Sequence, residues 1–201
     1  MQDYFCVQVR IKHIKLGSYC ACDAHIPQKT LLWTMNTKYQ YQLPDAEATT
    51  MLGCALAEHL PSSFTCVHLS GPLGAGKSTF ARAMLRRLGV QGAIPSPTYT
   101  LVERYQLPSG KEAWHLDLYR LRDSSELEFL GLDEIQGSAL WIIEWPEQVS
   151  GMGPHADVCI NLRWDHNQRY ANLQAQTPQG EAWLMYTRNC PNLHAFHRPS
   201  S

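Results

Sequence analysis

The stretch "HLSGPLGAGKSTFARAMLRRLG", His68 to Gly89, sets a glycine-rich turn between an apolar lead-in and a helical pattern. Its centre, GPLGAGKS from Gly71 to Ser78, satisfies G-x-x-x-x-G-K-[ST] in full. Gly71, Gly74 and Gly76 let the backbone turn with several N–H groups pointing inward, a concavity that receives anionic oxygens. The helix that follows adds the positive end of its dipole. Lys77 is placed to bridge terminal phosphates, and the Ser78 hydroxyl to ligate Mg²⁺, a cation that takes oxygen ligands. The lead-in FTCVHLS reads as a strand buried on both faces. STFARAMLRRLG reads as a helix with Phe80, Met84 and Leu88 on one side and Gly89 at the C-terminal cap. Strand, glycine loop and helix in that order predict an α/β core that holds a nucleotide polyphosphate. The loop by itself serves ATPases, GTPases and small-molecule kinases alike, although the chain contains no Asn-Lys-x-Asp guanine-reading motif.

Upstream, MNTKYQYQLPDAEATTMLGCALAEHL gives a short strand, a Leu-Pro-Asp break and a helix with Met51, Leu52, Ala55, Leu56 and Leu60 on its apolar side. Residues 1–34 do not lead into this pattern and are expected to be a poorly ordered extension, with Met35 a candidate start. Downstream, SPTYTLVERYQL and EAWHLDLYRL read as extended segments joined by a hairpin connection, and SSELEFLGLDEI as a short helix. SALWIIEWP is an apolar strand stopped by Pro146, and ADVCINLRW with RYANLQAQT alternate like an antiparallel pair. The expected domain is 35–186, followed by a flexible tail, 187–201.

The 201 residues suffice for one sizeable core, and 17 basic against 18 acidic residues give a net charge of -1, so no overall field draws the chain to nucleic acid or to an anionic membrane. Seven cysteines without Cys-x-x-Cys spacing argue against a disulfide framework or a closed zinc site and fit a reducing, cytoplasmic compartment. No apolar run approaches a membrane span.

A phosphate loop needs a further acid to hold Mg²⁺ and orient a water or hydroxyl. Glu144 ends the apolar run ALWIIE, which puts its carboxylate at the C-terminal edge of a sheet, where open α/β folds bind ligands. Asp117 in WHLDLYR ends another apolar segment, and the residues alone leave it open between a site acid and an ordinary strand-end acid. SPTYTLV carries hydroxyls where nucleotide hydrolases often place a switch, yet on the residues alone the preferred reading is a β-edge with solvent-facing threonines. Trp145 alone reads as core.

Taken together, GPLGAGKSTF, SPTYTLVE, HLDLYRL, ELEFLGLDE and IIEWPE, in that order, resemble the TsaE-type ATPases of bacterial tRNA threonylcarbamoyladenosine synthesis. The resemblance runs roughly from Met35 to Gln179. It implies an α/β, P-loop NTPase-like three-layer fold with a mixed, mainly parallel central sheet, ATP bound with Mg²⁺, and slow hydrolysis stimulated by partners. By the same resemblance the Mg²⁺ ligands match Ser78 and Glu144, the catalytically important aspartate matches Asp117, and Thr98 is the switch hydroxyl. Nucleotide contacts fall on Gly71, Gly74, Ala75, Gly76, Lys77, Ser78, Thr79, Trp145 and Arg169. The implied partners are the TsaD and TsaB proteins, with tRNA reached through them and no membrane involved. Ser78 stands where threonine is commoner, which keeps the hydroxyl.

Overall fold

A computed structural model of the chain describes residues 38–121, 126, 138–149 and 153–198. The N-terminal extension and the short helix expected from SSELEFLGLDEI lie outside the described residues, apart from Glu126.

The chain opens with strand β1 (Lys38–Leu43) and helix α1 (Ala46–Glu58), separated by the Leu-Pro-Asp break. Asp45 caps α1, its carboxylate accepting the Ala48 N–H at 2.7 Å, one of the donors a helix start leaves unpaired. Strand β2 (Thr65–Ser70) feeds the glycine loop and helix α2 (Lys77–Arg87). Gly89 closes that helix at φ +97°, as its position at the end of the apolar pattern predicts. A hairpin of β3 (Val102–Gln106) and β4 (Glu112–Asp117) follows, then β5 (Ser138–Glu144). The last part comprises β6 (Val158–Asp165), β7 (Gln168–Ala175), helix α3 (Pro178–Arg188) and the two-residue β8 (His197–Arg198). The β6–β7 turn is made by His166 and Asn167, both at positive φ, the conformation that lets a two-residue hairpin follow the strand twist.

One eight-stranded sheet runs β3-β4-β5-β2-β6-β7-β1-β8. It is mixed, as expected, but its parallel part is confined to the centre: β4, β5, β2 and β6 pair parallel, and every flanking pairing is antiparallel. The described residues show two of the expected layers, the sheet and the helices on one of its faces. Alternate residues of the central strands, such as Val67, Leu69 and Ile142, pack with Leu52, Phe80, Met84 and Trp183 of the three α-helices in one core, so these helices all lie on one face. The other face carries a smaller cluster built on Trp114 and Trp141, whose rings stack 5.1 Å apart. Among the described residues no α-helix covers it; a 3-10 turn, Pro146–Val149, contributes Val149 there.

Two further expectations are corrected. The segment from Ser96 does not run extended into β3: Pro97–Thr100 form a turn closed by the Leu101 N–H donating to the Pro97 carbonyl at 2.7 Å, with Leu101 at φ +64°. Nor is 187–198 a loose tail. α3 runs through Arg188, Leu193 is buried in the core, and β8 pairs antiparallel with Gln40 and Tyr41 of β1.

His68 of β2 faces the second side of the sheet, its Nε2 donating to the Pro154 carbonyl at 3.1 Å. Burial lowers its pKa below the ordinary 6.5, against the opposing pull of that bond. The unfolded chain therefore takes up this proton at higher pH than the folded one. The stability His68 confers is complete above its unfolded pKa and declines as pH falls below it. Acidification from about pH 7 to about pH 5.5 should lower the urea midpoint, and His68→Gln should flatten that slope. Parallel slopes for the two proteins would show that His68 carries no such linkage.

Candidate functional site

Strands β2, β4 and β5 run parallel and end at one edge of the sheet. Register fixes what stands there: Glu144 lies opposite Leu69 on one side and Asp117 on the other. Just beyond β2, Gly71 turns at φ +130°, and a Cβ on it would sit 2.0 Å from the Leu162 carbonyl oxygen of β6, a distance only glycine allows. Gly74 and Gly76, at φ +76° and +108°, continue the left-handed turns that bring the loop round to α2. Ala75 is fully buried in the core and does not line the cleft described below.

Lys77 begins α2 and is almost wholly buried. Its Nζ donates to the carbonyls of Gly71 at 2.7 Å and Pro72 at 3.0 Å, and lies 3.7 Å from the centre of the Trp145 ring. Burial lowers the lysine pKa, while the nearby Glu144 and Asp117 charges push it the other way. Trp145 comes to this place because its backbone is left-handed, φ +58°, with its N–H donating to the Leu69 carbonyl at 3.1 Å. Tyr119 packs against Trp145, ring centres 4.8 Å apart.

A continuous polar chain crosses the cleft. Ser78 Oγ donates to Glu144 Oε2 at 3.0 Å, Ser96 Oγ to Ser78 Oγ at 3.3 Å, Ser96 and Thr98 hydroxyls meet at 3.1 Å, and Thr98 Oγ1 donates to Asp117 Oδ2 at 2.5 Å. The other Asp117 oxygen accepts the Tyr119 N–H at 3.1 Å. Glu144 and Asp117 are 2% and 3% exposed, so neither is an ordinary strand-end acid in solvent. Beneath the cleft, His115 Nε2 meets Glu144 Oε1 at 2.8 Å.

The cleft measures about 260 Å³ and is lined by Gly74, Gly76, Lys77, Ser78, Thr79, Thr98, Asp117, Glu144 and Trp145 among others. A larger cavity of about 590 Å³ lies on the second face, but its lining is mostly apolar, with Leu116, Leu118, Ile143 and Val149, and it lacks both the glycine cradle and the acids. The polar residues singled out by the sequence line the smaller one. Ser78 and Glu144 fit Mg²⁺: both offer oxygen, and they already stand within hydrogen-bonding distance of one another. Among the described residues no group of three His, Cys, Asp or Glu side chains is placed to hold a metal.

Arg169 stands apart from the acids, beside the loop. Its Nη1 donates to Thr49 Oγ1 at 3.3 Å, its guanidinium lies 4.6 Å from the Trp164 ring centre, and a Cβ on Gly76 would come 3.7 Å from Nη1. Its buried Nε has no partner among the described residues. Sequence reasoning gave no role to His115, Tyr119 or Thr49. For His115 a signal existed, since it stands two residues before Asp117 in a strand and so shares its face.

A family model described as "Threonylcarbamoyl adenosine biosynthesis protein TsaE" matches residues 43–172. The tRNA threonylcarbamoyladenosine biosynthesis protein TsaE of Haemophilus influenzae is 42% identical over 152 residues, covering 73% of this chain and 95% of that protein. The protein of the same name from Synechocystis is 40% identical over 116 residues, 55% of this chain and 71% of its own. In three dimensions the chain is similar to Bacillus subtilis YdiB, with a TM-score of 0.63 at 22% identity over 77% of this chain and 96% of YdiB, which supports the α/β fold. Among the described residues no helix is long and apolar enough to cross a membrane.

Proposed function

Because the chain belongs to the TsaE family and so to the proteins of tRNA threonylcarbamoyladenosine biosynthesis, we propose that it binds and hydrolyses ATP with Mg²⁺ in the cytoplasm, acting with the TsaB and TsaD proteins. The observation that carries this reading is the meeting of two hydroxyl–carboxylate pairs, Ser78 with Glu144 and Thr98 with Asp117, beside the Gly71–Ser78 loop. Main-chain N–H groups of the loop and the start of α2 bind the phosphates, and Lys77 moves from the Gly71 and Pro72 carbonyls to the terminal phosphate oxygens. Ser78 and Glu144 would hold the Mg²⁺, which when bound neutralises charge on the phosphates. Asp117, held at both oxygens by Thr98 and the Tyr119 N–H, orients the attacking water or the water shell of the metal. Trp145 walls the cleft over Lys77, and Arg169 approaches the nucleotide from the flank of Gly76.

Phosphoryl transfer depends on placement and charge, and a cationic finger supplied by another protein is a common source of rate. Hydrolysis by the chain alone is accordingly slow. The test is steady-state ATP hydrolysis by the full chain, alone and with purified TsaB and TsaD, alongside complex formation under ATP and ADP. Mg²⁺-dependent turnover that rises roughly tenfold or more with the partners supports the proposal. Absence of ATP binding, or turnover indifferent to Mg²⁺, would defeat it.

A further inference from the structure

We propose that His115 is the positioning residue that sets the plane of the Glu144 carboxylate, so that one oxygen is reserved for the metal. This rests on the reading of Glu144 as a Mg²⁺ ligand given above. In β4, Trp114 and Leu116 belong to the second-face cluster, which turns His115 and Asp117 to the helical face. His115 pairs in register with Ile142 and Asp117 with Glu144, so His115 lies one pleat back, diagonal to Glu144. It is fully buried and does not line the cleft, and therefore acts through Glu144 and not on a substrate.

The carboxylate is gripped at both ends: Oε1 by the imidazole at 2.8 Å from inside the sheet, Oε2 by the Ser78 hydroxyl at 3.0 Å from the loop. The proton of a neutral imidazole must sit on Nε2, because an unprotonated Nε2 would face the carboxylate oxygen lone pair to lone pair. The other ring nitrogen, Nδ1, is buried with no partner among the described residues, so Glu144 is the hydrogen-bonding partner this ring has. A leucine would fill the same space without stranding a polar atom, which is unfavourable in a core. What the imidazole adds is an N–H aimed at Oε1. With Oε1 held from below, Oε2 stays turned to Ser78 when that hydroxyl changes from donor to ligand. Partners of this kind behind a ligating carboxylate fix ligand orientation, and their loss typically weakens metal binding roughly 10- to 100-fold.

The test measures Mn²⁺ binding in the presence of ADP, by the electron paramagnetic resonance signal of free Mn²⁺, together with ADP affinity without metal and the melting temperature. His115→Leu removes the N–H. His115→Asn carries an amide that stops near the Nδ1 position, while the amide of His115→Gln reaches the Nε2 position. The expected result is Mn²⁺ affinity lowered roughly tenfold or more in the Leu and Asn variants, largely restored in the Gln variant, with metal-free ADP affinity unchanged. Wild-type Mn²⁺ affinity in the Leu and Asn variants, or a Gln variant no better than Asn, overturns the proposal. Glu144→Gln separates the two levels: if it loses Mn²⁺ while the His115 variants do not, His115 alone is misassigned, and if it keeps Mn²⁺ the reading of Glu144 falls and this proposal with it. Should the variants not fold, nitrogen-15 spectra of the wild-type ring decide, an Nε2–H tautomer supporting the proposal and an Nδ1–H tautomer refuting it.

Discussion

A Lys77→Met variant should bind ATP roughly 100-fold or more weakly than the wild type while keeping its fold. The ammonium is the buried cation of the loop, held by two carbonyls and facing the Trp145 ring. Moved to phosphate oxygens, it makes charge-assisted bonds, each worth about 1.5–3 kcal/mol. Losing one or two of them corresponds to roughly 10- to 10⁴-fold in dissociation constant, and the phosphates are also left without their nearest counter-charge. Methionine keeps most of the apolar stem that covers Trp145, so packing is preserved, whereas Lys77→Ala adds a void to the same loss. Equilibrium binding of a fluorescent ATP analogue, with a melting curve on the same sample, separates the two effects. Wild-type affinity in a folded Lys77→Met protein would remove the nucleotide from this loop.

The second large effect falls on rate. Asp117→Asn should lower single-turnover ATP hydrolysis, measured with TsaB and TsaD present, by about 10²–10³-fold, with ATP affinity changed by no more than about threefold. The amide is nearly the same shape as the carboxylate. Its oxygen can still accept the Tyr119 N–H, and the Thr98 hydroxyl can rotate to accept from the new NH₂ group. The buried network thus survives in geometry but loses its negative charge, which is what a water or a metal shell is oriented by. An Asp117→Asn protein that hydrolyses ATP at the wild-type rate would reassign this residue to structure alone.

The glycine loop was legible because its information is local: glycines, lysine and hydroxyl at fixed spacing, with a strand before and a helix after. Glu144 was nearly so, since an apolar strand that stops at an acid announces its own end. Asp117 was undecidable from its own segment. What brings it beside Glu144 is the pairing of β4 with β5 in register, a relation between segments more than 20 residues apart that no local pattern encodes. Ser96 to Thr100 misled for a different reason. β-Branched and proline-containing stretches suit an extended edge, yet here the turn at Pro97 and the left-handed Leu101 fold the hydroxyls of Ser96 and Thr98 back toward Asp117. The C-terminal segment carried only scattered apolar residues, and its place against β1 depends on an edge that nothing nearby in sequence specifies.

Because both acids and the start of the loop hang from neighbouring strands, their spacing is inherited from the ladder of main-chain bonds and not from the loops that join those strands. Connections such as that between β3 and β4 are free to lengthen or shorten over evolutionary time without disturbing the chemistry. A single inserted residue inside β4 or β5 would invert every side chain beyond it, sending a carboxylate through the sheet to the opposite side. Tolerance to insertion should therefore map in bands along the gene, permissive between the strands and abruptly inactivating within them.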